Sequence, residues 1–115
     1  MVRRHCDMTQ LERSEMFGGT GRAQMVQIVK EEELGGKGRL FNHVTLAPGC
    51  SIGTHQHTGD AEIFYILSGH GLAVDNGEEV RLEPGDMLYT GDGSSHSIRC
   101  DGDAPLEFLA LILYT

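Results

Sequence analysis

The chain has 115 residues and a mass of 12.6 kDa, close to the commonest length of one folded unit, and residues 1–115 are read as a single domain. Seventeen acidic residues against nine basic ones leave a formal charge of -8, the wrong sign for neutralising phosphates, which excludes nucleic acid as a partner. No apolar run approaches the ~20 residues that cross a bilayer, and the first residues lead into polar sequence, so a cytoplasmic chain with no membrane association is expected.

Cys6, Cys50 and Cys100 are an odd number at no metal-type spacing and read as free thiols. In chain order, the first segment with any helical signal is Thr9 to Met16, where Thr9 stands three residues before Glu12 in the manner of a capping box. Ala23 to Lys30 is rich in Met, Val and Ile and reads as a strand. An acidic, mobile loop from Glu31 to Gly38 separates it from a second strand, Arg39 to Leu46. Pro48-Gly49 closes that run, and Glu62 to Leu67 reads as the next strand.

Leu72 to Asp75 and Glu78 to Leu82 flank Asn76-Gly77, a dipeptide that favours a two-residue hairpin because both positions take positive φ. Met87 to Thr90, Ser94 to Cys100 and Leu106 to Leu113 follow, separated by glycine and aspartate turns. The last run is apolar almost without alternation, which predicts burial of both faces, within the protein or at a subunit contact. Short strands with turn signals every ~8–12 residues predict an all-β sandwich or barrel with little helix.

Four residues stand out from this background: His55, His57, Glu62 and His96. On a strand, positions i and i+2 share a face with Cα atoms ~6.5–7 Å apart, close enough for two imidazoles to meet one ion. His55 and His57 have that spacing. The Thr58-Gly59-Asp60 turn lets Glu62 return to the same point, and His96 follows the Gly91-Asp92-Gly93 turn from a different hairpin. Mixed imidazole and carboxylate donors suit a first-row divalent metal. His5, His43 and His70 read as surface or hydrogen-bonding residues.

From Gly49 the sequence runs five residues to His55-X-His57, four to Glu62 and six to Gly69. This spacing resembles the first motif of the cupin superfamily at every defined position. A second cupin motif is matched at Gly85, Gly93 and His96, while Gly91 and Cys100 stand where the pattern has proline and asparagine. The proline replacement implies a less rigid loop before His96.

The resemblance implies a jelly-roll barrel with a conserved part over 39–113 and an N-terminal arm over 1–20. It implies one divalent transition metal per chain (Mn, Fe, Ni, Co or Zn) held by residues matching His55, His57, Glu62 and His96. It also implies a homodimer formed through a terminal strand, either Ala23 to Lys30 or Leu106 to Leu113. Strand parity puts Phe64 and Ile66 beside Glu62, and Ser94, Ile98 and Cys100 beside His96, as the pocket lining.

The function this implies is a metal-dependent enzyme acting on a small acidic or oxygenated metabolite, of decarboxylase, dioxygenase, isomerase or lyase type, with Glu62 as a candidate for proton transfer. The alternative is a non-catalytic sensor module that binds a small molecule or metal. Because each imidazole must be neutral to ligate, metal is expected to be lost as pH falls below roughly 6.

Overall fold

Alternation of apolar and polar residues builds the molecule from strands that bury one face each. The computed structural model describes residues 1–115 and contains ten strands. They are β1 (Thr9–Ser14), β2 (Arg22–Val29), β3 (Gly38–Leu46), β4 (Ser51–Gln56), β5 (Asp60–Ser68), β6 (Gly71–Asp75), β7 (Glu78–Leu82), β8 (Met87–Thr90), β9 (Ser95–Cys100) and β10 (Leu106–Tyr114). All pairings are antiparallel. One sheet has the order β1-β2-β3-β10-β5-β8 and the other β4-β9-β6-β7.

The inner faces of the two sheets meet in one core. Val44 and Leu46 from β3, Phe64 and Ile66 from β5, and Leu106, Phe108 and Ala110 from β10 pack with Ile52, Ala73, Ile98 and Cys100 of the smaller sheet. In β10 the residues Leu106, Phe108, Ala110 and Ile112 are buried, while Leu109 and Leu111 are half-buried and Leu113 is exposed. The run that lacks polar alternation therefore covers the core with one face and leaves an apolar outer face.

The Asn76-Gly77 hairpin is present as expected. Asn76 has φ 49° and Gly77 φ 89°, and Asp75 pairs with Glu78 across the turn. The helical expectation for Thr9 to Met16 is wrong: Thr9–Ser14 is an edge strand in register with β2 over six residue pairs. An isolated helix of two turns is too short to be stable in water, whereas a ladder with β2 satisfies the backbone of the segment. After the strand, Met16–Gly18 makes a 3₁₀ turn, with Phe17 at φ 53°.

The acidic loop is also more ordered than its composition suggests. Glu31–Leu34 form a 3₁₀ turn in which Glu33 accepts a hydrogen bond from the Lys30 amide at 2.7 Å. Arg3 grips the same carboxylate through both terminal nitrogens, at 2.9 and 2.8 Å, and also donates to the Ile28 carbonyl. The N-terminal residues are thereby tied to the end of β2.

Candidate metal centre

The turn after β4 and the turn before β9 bring the site together. The His57 amide donates to the Ser94 carbonyl at 2.9 Å, Gly93 returns a bond to the His57 carbonyl at 2.7 Å, and the Gly59 amide donates to Asp92. Gln56 adds a side-chain bond to the Gly93 carbonyl. The segment before His96, where glycine replaces the family proline, is thus laced to the segment that carries His57. His55 lies directly across from His96 in the β4–β9 register, and Glu62 enters from β5 of the opposite sheet.

These four side chains converge. His57 Nε2 is 3.0 Å from Glu62 Oε1 and 3.2 Å from His96 Nε2. His96 Nε2 is 3.0 Å from both His55 Nε2 and Glu62 Oε1, and His55 Nε2 is 3.9 Å from that oxygen. All four ligand atoms lie within 4.8 Å of one another.

The opposite nitrogen of each ring is already engaged. His57 Nδ1 meets Asp60 Oδ1 at 2.7 Å, His55 Nδ1 meets the Gly53 carbonyl at 2.9 Å, and His96 Nδ1 meets the Thr90 hydroxyl at 2.8 Å. An acceptor at Nδ1 places the proton there and leaves Nε2 as a lone pair. Three lone pairs and a carboxylate aimed at one point repel each other without a cation between them. Ligand atoms ~2.1 Å from a first-row ion and at right angles are about 3.0 Å apart, the spacing seen here, so the donor set fits such an ion.

Outer contacts fix the rings further. Phe64 stacks on His96 with centroids 4.8 Å apart, and Phe17 stacks on His55 at 4.0 Å. Asp60 is itself held by Arg39 at 3.0 Å. Electrostatics follow from this crowding. Burial pushes the Glu62 carboxyl up, but hydrogen bonds with His55, His57 and His96 outweigh it and hold the group below the usual carboxylate range. In the ion-free protein the His57 imidazole is raised, first by its bond to Glu62 and also by Asp60, against an opposing effect of burial.

Beside His55, His57 and Glu62 lies a cavity of about 100 Å³, walled by Met25, Val44, Ile52, Phe108, Ala110 and Ile112 and roofed by Met16 and Phe17. That is well below the ~300 Å³ at which drug-sized sites begin, so the cavity suits a ligand of few atoms. Of the residues that parity assigns to the lining, Phe64 borders the cavity. Ile66, Ile98 and Cys100 lie in the packed core. Ser94 sits in the turn before β9, where its carbonyl receives His57. The Cys100 thiol, raised by burial, donates to the Ala104 carbonyl at 3.1 Å.

Sequence reading did not single out Arg39, Asn42, Asp60, Thr90 or Phe17. Only Asp60 carried a local signal, as an acidic residue three positions after His57; the others arrive through strand pairing.

The comparisons agree with this geometry. Residues 42–112 match the model of the cupin domain family. The chain is 43% identical to the oxalate-binding protein of Thermotoga maritima over 113 residues, 98% of this chain and 93% of that one. It is 32% identical to the tetracenomycin polyketide synthase protein TcmJ of Streptomyces glaucescens over 98 residues, 85% of this chain and 63% of the relative. A crystal structure from Thermotoga maritima, described as a predicted oxalate decarboxylase, superimposes with a TM-score of 0.95 at 43% identity over all of both chains. With ten strands in two antiparallel sheets, an intact three-histidine, one-glutamate constellation and these matches, the chain belongs to the cupin domain family.

Proposed function

We propose that this cupin holds one divalent first-row metal ion at His55, His57, Glu62 and His96 and uses it to bind a small carboxylic acid of the oxalate class. The observation that carries this reading is the convergence of three Nε2 atoms and one carboxylate beside a small, mostly apolar cavity. Mn, Fe, Ni, Co and Zn all accept such donors. When bound, the ion supplies Lewis-acid attraction for a carboxylate oxygen.

The residues of the chain do the rest. The apolar walls and the Phe17 roof reduce the water around the site, which strengthens charge interactions inside. Asp60, Thr90 and the Gly53 carbonyl keep the rings aimed. The name of the Thermotoga relative supports the ligand class. Titration calorimetry with oxalate tests the reading: saturable binding by metal-loaded protein, absent after metal removal, is expected, and no binding in either state contradicts it.

A second reading, turnover of the same ligand, is favoured by Glu62, the one carboxylate that borders the cavity. There it would hold or move a proton. Loss of oxalate over time in the same samples identifies an enzyme, whereas binding without loss identifies a binding module.

The outer face of the larger sheet supports a homodimer. Tyr65, Leu67, Met87, Tyr89 and Leu113 are exposed on it by strand alternation, with Leu109 and Leu111 half-buried among them. Such a contiguous apolar face on a small protein marks an association surface. β2 and β10 each have neighbours on both edges, so neither can add a strand to another sheet; β10 would contribute through its face. The three cysteines, all free thiols, suit a reducing cytoplasmic compartment.

A further inference from the structure

Cys50 and Cys100 are far apart in sequence, yet the fold sets them side by side. In the β4–β9 ladder Ser51 stands opposite Arg99, and one step further the Cys100 amide donates to the Cys50 carbonyl at 3.0 Å. The two cysteines therefore face each other across an antiparallel pair, where opposed residues point to the same side of the sheet. That side is the core: Cys100 belongs to it, and Cys50, half-buried, packs against it. Opposed residues of this hydrogen-bonded kind hold their Cα atoms ~5.5 Å apart, inside the ~4.4–6.8 Å over which a disulfide joins two residues.

We infer that Cys50 and Cys100 are a dithiol pair that a peroxide converts reversibly to a disulfide, a staple at the metal-distal ends of the two strands that carry His55 and His96.

The backbone leaves room for the bond. The Cys50 amide turns back to the Ala47 carbonyl at 2.9 Å instead of pairing with β9, so the ladder ends at this pair. With so little backbone pairing there, the Cβ atoms can close the ~1 Å that separates an opposed pair from a disulfide. The accessibility of the two thiols sets the order of events. Cys100 is buried and its thiol donates to the Ala104 carbonyl, whereas Cys50 is open to a small oxidant. The Cys50 thiolate attacks one oxygen of the peroxide: an S–O bond forms, the O–O bond breaks, and the released hydroxide takes up the proton lost by Cys50 and leaves as water. The Cys100 sulfur then attacks the Cys50 sulfenic sulfur. The S–S bond forms, the S–O bond breaks, and the departing hydroxide leaves as water with the Cys100 proton. Two electrons pass from the sulfur pair to one peroxide. The product closes the chain from residue 50 to residue 100 into a long loop, the case in which a cross-link most restricts the unfolded state.

The test uses the reduced full chain with Cys6→Ser, which silences the exposed third thiol, beside Cys50→Ala and Cys100→Ala in the same background. Each is treated with a small excess of hydrogen peroxide near pH 8. Both thiols of the parent should be lost together, peptide mass mapping should link residues 50 and 100 within one chain, and dithiothreitol should restore both. The oxidised parent should melt several degrees above the reduced one, a shift absent from the alanine variants. Cys50→Ala alters a half-buried residue and serves alone where Cys100→Ala fails to fold. A sulfinate on Cys50 beside an intact Cys100 thiol, linkage only between chains, or thiols that survive the peroxide overturns the assignment.

Discussion

Asp60 and Thr90 decide how well the histidines of this cupin can serve a metal, although neither touches the convergence point. Asp60 accepts the Nδ1 proton of His57, and Thr90, the register partner of Glu62, receives Nδ1 of His96. Removing such a partner typically costs 10–100-fold in metal affinity. Asp60→Ala and Thr90→Val are each expected to fall in about that range when titrated against a competing chelator, with Arg39→Ala much closer to wild type.

Acid acts at the same residues. The raised His57 imidazole stabilises the ion-free protein fully below the ordinary value of ~6.5 and ceases to do so as pH rises through its own, higher value. Metal needs the neutral ring, so acidification favours the ion-free form. The rise in melting temperature on adding metal should therefore be large near pH 8 and shrink steadily toward pH 5.5; a shift that stays constant over this range contradicts the proposed ligation by three imidazoles. His55, His57, Glu62 and His96 were legible in the sequence because their spacing is local or set by glycine turns. Asn42 and Thr90 were not, because strand pairing alone gives them their partners.

At the scale of elements, glycines hold the roof of the site against its floor. A methyl group on Gly53 of β4 would run into the Phe17 carbonyl, and one on Gly19 would meet that of Ser51. The Met16–Gly18 turn can therefore lie flat on β4 and stack Phe17 over His55 only because these positions lack side chains. Gly53→Ala is expected to destabilise the protein by about 1–3 kcal/mol in urea unfolding and to uncover His55, seen as faster chelator removal of metal.

The same contrast between local and distant causes explains which elements sequence reading found. Asn76-Gly77 demands its hairpin by backbone chemistry alone, and the structure has it. Thr9–Ser14 carries a weak local helix signal that pairing with β2, from Ser14 with Arg22 to Thr9 with Gln27, overrides. The acidic turn is settled by Arg3, far upstream. Their bidentate pairing, with the Lys30 amide, holds the exposed Glu33 carboxyl down to about 2. Its stabilising effect is present above the ordinary range near 4.5 and is lost as pH falls through about 2.

For the whole molecule, the candidate metal centre draws its residues from both sheets. His55 and His96 come from the smaller sheet, His57 from just beyond β4, and Glu62 from the larger one. A bound ion therefore ties layers otherwise held by apolar packing, and metal removal should lower the melting temperature without changing the far-ultraviolet circular dichroism at 25 °C. On the outside, the face formed by Tyr65, Leu67, Met87, Tyr89 and Leu113 predicts a sedimentation mass near twice 12.6 kDa at micromolar concentration, reduced to the monomer by Leu67→Glu with Tyr89→Lys. A wild-type monomer would sink the homodimer. The expectations for metal affinity, for the pH dependence of stabilisation by metal and for the effect of metal removal all depend on an ion held by His55, His57, Glu62 and His96. Elemental analysis by plasma mass spectrometry, on untagged protein purified without chelator and beside a folded His55→Ala/His57→Ala variant, tests it most directly. About one Mn, Fe, Ni, Co or Zn per chain in wild type and almost none in the variant is the expected result. Metal-free wild type that takes up none of the five on reconstitution would contradict the account.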